Sequence, residues 1–200
     1  TELDSFFITK SFRGATYETW QYNVVATLQG IVNPDSVCII GGHYDSIVQT
    51  LDPSDGAPGA NDNASGVATT LEVARILKKQ NFTPNTTIKF IAFGAEEIGL
   101  YGSYKYAQKA ASSGMKIKMM LNNDMVGIWP ADDLNYTINI IDYANSYDLR
   151  IDAEKTCSLY TELNTVNDNT YQAYSDSWPF YQYGYRAIFF ISDADDHNYH

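Results

Sequence analysis

Long apolar runs are missing from this 200-residue sequence. The best candidate, "FIAFGAEEIGLYG" (90–102), is broken by Glu96 and Glu97, far short of the roughly 20 residues needed to span a bilayer. Basic residues are scarce as well, 13 Lys and Arg against 24 Asp and Glu, for a net charge of -11. Such a balance excludes the basic surface that nucleic acid or an anionic membrane requires. Cysteine is limited to two residues, which rules out a disulfide framework and a thiolate zinc site. Cys38 falls in "VCII", a predicted buried strand, and Cys157 in a predicted helix. There is no repeat, low-complexity tract or linker, so residues 1–200 are expected to form one domain, long enough for a sizeable core. No signal-like stretch opens the chain and Thr1 is not an initiator methionine, so the numbered chain reads as a mature or trimmed fragment.

What is present fits a soluble globular domain, 44% apolar and 18% charged. Sixteen tyrosines, numerous asparagines and few basic residues suit an exported protein, secreted or periplasmic. Strand-like runs occur at 22–28, 37–43, 87–93, 118–126, 136–142 and 187–192, several of them apolar throughout, as in strands covered on both faces. Helical periodicity occurs at 64–80, 99–112 and near 145–161; the first places Val67, Leu71, Ala74 and Leu77 on one face. Alternation of the two predicts an α/β three-layer sandwich, with helices covering a mixed, mainly parallel sheet. Ligands in such sheets bind at the carboxyl ends of the strands. "GGHYDS", "GAEE" and "NNDMVG" all fall there.

Those strand ends carry an unusual set of charges. Glu96 and Glu97 are adjacent carboxylates behind an apolar strand, a costly placement unless a positive charge pairs with them. The nearest basic residues in sequence, Lys89 and Lys105, read as ordinary surface positions. His43 and Asp45 close another strand, two residues apart, so the aspartate can accept from the second imidazole nitrogen and fix the tautomer of a metal-bound histidine. Asp62 sits in "PGANDNASGVA", a loop opening a helix, in which Asn63 or Ser65 is expected as cap. Sequons begin at Asn63, Asn85 and Asn135, the first expected to be inaccessible. Asp124 ends a further apolar strand, and His197 and His200 follow the last one. Imidazoles and carboxylates without thiolates suit zinc or a similar divalent ion with open coordination positions.

Taken together, "GGHYDS", "PGANDNASGVA", "GAEEIGLYGS" and "NNDMVG" resemble, in order, the sequence blocks of the dinuclear zinc aminopeptidases, the bacterial leucyl-type enzymes and their relatives. The resemblance runs from about residue 22 to residue 200. It implies two zinc ions sharing a bridging water, and peptide substrates with free N-termini. His43 and Asp124 would complete one zinc site, Glu97 and His200 the other, with Asp62 bridging. It further implies Glu96 as general base, Asp45 as partner of His43 and Tyr199 as donor to the tetrahedral oxyanion. His200 is preferred to His197 because Tyr199-His200 matches the start of the family's Tyr-His-Thr-like stretch; the sequence stops there, so the domain is expected to be truncated at its C-terminal end. The other readings of such a pattern are a single-zinc, glutaminyl-cyclase-like acyltransferase, a carboxypeptidase of the same fold and a non-catalytic binding module.

Overall fold

The chain opens as an antiparallel hairpin of β1 (Glu2–Phe12) and β2 (Ala15–Leu28), and burial alternates along β1 from Ser5 to Thr9. Phe6 and Ile8 turn inward, whereas Phe7 faces out and meets Trp20 edge to face at 5.6 Å. The structure is a computed structural model that describes residues 1–12, 14–48, 56–129 and 136–192. Beyond the hairpin come β3 (Asn33–His43), a wide helical turn (Ala60–Ser65), α1 (Gly66–Lys79), β4 (Thr86–Phe93), α2 (Tyr101–Ser112) and β5 (Lys116–Asn123). β6 (Thr137–Ile141), α3 (Tyr147–Tyr160), β7 (Asn164–Val166), α4 (Ser177–Gln182) and β8 (Ala187–Ser192) follow.

Among the described residues the strands form one eight-stranded sheet in the order β1-β2-β4-β3-β5-β8-β6-β7. Its centre, β4-β3-β5-β8, is parallel, and the flanking pairs β1–β2, β2–β4 and β6–β8 are antiparallel. The expected mixed sheet with helices on both faces is therefore the fold. On one face α2 and α4 bury Phe93, Tyr106, Ala107 and Phe180 against Val25, Ile39, Ile91 and Met120. On the other, α3 packs Leu149 against Ile138, Ile140 and Ile188. The parallel centre aligns the carboxyl ends of β3, β4, β5 and β8 along one edge.

Some details differ from the sequence reading. In α1 the covered positions include Gly66 and Thr70, while Leu71 is 62% exposed. β5 stops at Asn123: Asp124 N–H still donates to the Phe190 carbonyl of β8, but the N–H groups of Met125, Val126 and Gly127 turn to side chains of the 60–65 turn. β1, β7 and α4 are additional elements: the first is half exposed, and the other two span only three and six residues. Cys38 and Cys157 are free thiols, both partly buried.

Candidate metal centre

His43 is the last residue of β3 and is almost wholly buried. Its approach depends on Gly42, where a Cβ would lie 2.4 Å from the Asn123 carbonyl oxygen. His43 Nε2 lies 2.9 Å from Asp62 Oδ1, 3.4 Å from Asp124 Oδ1 and 3.9 Å from Glu96 Oε2. The opposite ring nitrogen, Nδ1, lies 3.0 Å from the Asp45 carbonyl oxygen and 3.7 Å from the nearer Asp45 carboxylate oxygen. The acceptor expected of the Asp45 carboxylate is thus its carbonyl.

The carboxylate of Asp45 is engaged elsewhere. It accepts the backbone N–H of Glu96 at 3.1 Å and that of Glu97 at 3.2 Å, one on each oxygen. These N–H groups converge because Ala95 adopts a left-handed backbone (φ 60) directly after β4. Asn23, fully buried on β2, holds the far side of the same turn: Oδ1 accepts from Gly94 N–H at 3.2 Å and Nδ2 donates to the Gly102 carbonyl at 3.0 Å. Both glutamates are thereby fixed by their main chain, leaving their side chains for the cleft.

Asp62 and Asp124 are joined through three side chains of the 60–65 turn. Asn61 Oδ1 accepts from Gly127 N–H, Asn63 Oδ1 from Met125 N–H and Ser65 Oγ from Val126 N–H, at 2.9, 3.2 and 3.0 Å. Asn63 also accepts from Gly66 N–H at 2.9 Å, capping the first turn of α1, and is buried. Asp124 receives a 2.5 Å hydrogen bond from Ser175, whose hydroxyl in turn accepts from Asn122 Nδ2 at 2.6 Å. Ser175 and the fully buried Asp176 were not anticipated. The only sequence signal for them is a polar Ser-Asp-Ser run immediately before the apolar "WPF".

The electrostatics of the cluster point to a cation. Burial pushes Glu97 up to about 8, reinforced by Asp62, and holds Glu96 well above the usual carboxylate range. Burial likewise lifts Asp176 to about 7. At His43, burial acts to lower the pKa, yet Asp124, Asp45 and Asp62 more than offset it and leave the imidazole well above its ordinary value. Among the described residues no lysine or arginine forms an ion pair with Glu96, Asp124 or Asp176. Two groups bring ligand atoms within 4.8 Å of one another: His43 with Glu96 and Asp124, and His43 with Asp62 and Glu97. Nitrogen and oxygen donors, largely buried and without thiolates, fit zinc or a related divalent ion. Tyr199, His197 and His200 lie outside the described residues.

Beside the cluster opens a cavity of about 720 Å³, with Leu100, Met125, Trp178, Phe189 and Ile191 among its walls. His43, Asp62, Glu96, Glu97 and Asp124 line its floor.

Comparison with known proteins places the fold and the sequence among relatives. A probable zinc metalloprotease of the fungus Pyrenophora teres f. teres is 36% identical over 186 residues, covering 87% of this chain and 39% of that protein. An aminopeptidase from Aneurinibacillus sp. strain AM-1 superposes with a TM-score of 0.71 at 31% identity, over 93% of this chain and 42% of its own. A glutaminyl cyclase from an Acidobacteriales bacterium, 23% identical with a TM-score of 0.67 over 95% of this chain and 64% of its own, shares the fold. The chain thus spans about two fifths of the length of the first two. The sequence profile of Peptidase family M28 matches residues 23–200, which include every strand end described above, and the chain belongs to that family.

Proposed function

We propose that the chain carries the catalytic centre of a two-zinc aminopeptidase. The observation that carries this reading is the pair of donor groups meeting at His43, with Glu96 and Glu97 on one rigid turn beside them. His43 and Asp124 would hold one ion, Glu97 and His200 the other, with Asp62 between them. The name of the Aneurinibacillus neighbour supports the assignment. Bound zinc supplies a lowered water pKa and a polarised peptide carbonyl.

The protein's own residues supply the rest. Glu96 takes a proton from the attacking water as the new C–O bond forms, then delivers it to the departing amine as the C–N bond breaks. Asp45 holds both glutamates at their main chain, so Glu96 reaches the water without leaving its turn. Tyr199 donates to the oxyanion. The acidic floor binds the free α-amine of the substrate, and the apolar walls take the side chain of its first residue. No helix among the described residues is long and apolar enough to cross a membrane, and the composition supports an exported location, secreted or periplasmic.

Glu96→Gln tests the assignment. It keeps its zinc, measured by atomic absorption, while hydrolysis of aminoacyl p-nitroanilides falls by at least on the order of 10²-fold, the scale of a general base. Zinc loss with activity falling only in proportion would exchange the roles of Glu96 and Glu97. Cyclisation of an N-terminal glutamine peptide, without hydrolysis of any aminoacyl substrate, would replace the aminopeptidase reading with the acyltransferase.

A further inference from the structure

One wall of the cavity is formed by Tyr171, Ala173 and Tyr174, on the segment between β7 and α4. Its backbone–backbone hydrogen bonds there are local, Gln172 N–H to Asn169 and Tyr174 N–H to Tyr171. Side chains make the connection to the sheet. Asn139, buried on β6 and itself lining the cavity, donates from Nδ2 to the Asp168 carbonyl and accepts on Oδ1 from Asp168 N–H, both at 2.9 Å. Asp142, one residue past β6, accepts on Oδ1 from Asn167 and Asn169, each at 3.3 Å. Its own N–H donates to Asn169 Oδ1 at 3.3 Å, and its carbonyl accepts from the Gln172 side chain. Arg150 Nε, 3.1 Å from Asp142 Oδ2, anchors the carboxylate to α3. Next along the chain, Tyr143 donates to the Gln172 carbonyl at 2.8 Å.

A buried amide is costly unless it is hydrogen-bonded, and Asn139 meets that need with both backbone groups of one residue, which ties Asp168 to β6 in one orientation. Here it fixes the start of the cavity wall. The same segment then delivers Ser175 to Asp124, so its two ends answer to different parts of the site. Asn139 and Asp142 make no described contact with the metal-ligating side chains. Their hold is on the wall that the first side chain of a substrate would touch.

We infer that Asn139 and Asp142 are positioning residues that set the discrimination between large and small N-terminal side chains, by clasping the 168–174 segment against the end of β6. The inference rests on the aminopeptidase reading for its substrate class. Misplacing a pocket wall removes contacts to a large side chain and leaves a small one nearly untouched, and a methylene or more of lost contact is worth about 10- to 200-fold.

Asn139→Ala and Asn169→Ala test this, the second being an exposed position whose truncation opens no core cavity. Kinetics on phenylalanyl and alanyl p-nitroanilides, zinc content, and calorimetric binding of phenylalaninol and alaninol are measured for each and for the unmodified chain. The expected result is a KM for the phenylalanyl substrate raised on the order of 10-fold in Asn139→Ala. kcat stays within about twofold and zinc content is unchanged, with the same trend at smaller size in Asn169→Ala. Equal losses on both substrates, a parallel loss of zinc, or an unchanged phenylalanyl-to-alanyl ratio would overturn the inference. If the unmodified chain hydrolyses neither anilide, the aminopeptidase reading has failed, and the amino alcohols alone decide. A selective loss of phenylalaninol binding upholds the clasp, and an equal or absent loss overturns it.

Discussion

A single aspartate shows how one residue can hold several members of a site at once. Asp45 gives its carbonyl to His43 and its carboxylate to the N–H groups of Glu96 and Glu97, so the imidazole and both glutamates share one reference point. Asp45→Ala removes only the second role, because the carbonyl remains. Charge-assisted bonds of this kind each contribute about 1.5–3 kcal/mol when shielded, but Asp45 is partly exposed and water replaces some of the loss. The expected destabilisation is therefore about 1–2 kcal/mol in urea melts. Zinc affinity should fall about 10- to 100-fold, as when supporting contacts around a metal site are lost. Asp45→Asn, which keeps one acceptor, should fall between the two. A zinc affinity unchanged in Asp45→Ala, by calorimetric titration, would show that the turn holds its shape unaided.

At the scale of elements, the turn after β4 is held by β2 and by the first turn of α2, and Asn23 is the link. It satisfies Gly94 N–H and the Gly102 carbonyl, both deep in the fold, and donates to Asp4 on β1 at 3.2 Å. Gly102 must be glycine for this fit, since a Cβ would stand 2.3 Å from Asn23 Oδ1 and 2.4 Å from the Gly94 carbonyl oxygen. Asn23→Ala leaves Gly94 N–H buried without its acceptor, at about 1–3 kcal/mol, and takes from the Gly102 carbonyl the second of its hydrogen bonds, the first being that of α2. Chemical denaturation should show a loss of about 1–3 kcal/mol. Activity should drop with stability, because the same turn carries Glu96 and Glu97. A loss under about half a kcal/mol, the size of an ordinary surface change, would mean that water enters and replaces the amide.

For the whole molecule, the crowded carboxylates link stability to pH and to metal. Glu97 at about 8, Asp176 at about 7 and Glu96 well above its ordinary range bind protons in the folded chain that the unfolded chain has already released. Stability falls with rising pH wherever the native state binds more protons. The raised His43 acts in the same direction above its ordinary value. Without metal, the melting temperature should therefore fall from about pH 5 to about pH 8. Zinc displaces those protons, so its affinity and its stabilising effect should grow over the same interval. Thermal scans with zinc and with a chelator at each pH separate the two trends. A chelated protein that gains stability from pH 5 to 8 would contradict the raised values.

The α/β class, the parallel centre and the strand ends at His43 and Phe93 were legible in sequence, because buried strands are apolar throughout and stop where polar residues begin. His43, Glu96, Glu97 and Asp124 stood out for the same reason, since charge at the end of an apolar run is conspicuous; Asp62, in a glycine-rich loop, gained its place only through the family resemblance. What only the tertiary structure decided is which partner each polar group takes. The carbonyl of Asp45, rather than its carboxylate, faces the imidazole, and Asn61, Asn63 and Ser65 gather the N–H groups after Asp124. Ser175, some fifty positions from Asp124 in sequence, reaches its carboxylate. Asn139 holds a wall that begins 29 residues further on. Hydrophobic burial follows local periodicity and can be read along the chain. A hydrogen bond depends on distance and direction between groups far apart in sequence, and those are set only when the sheet and its loops come together.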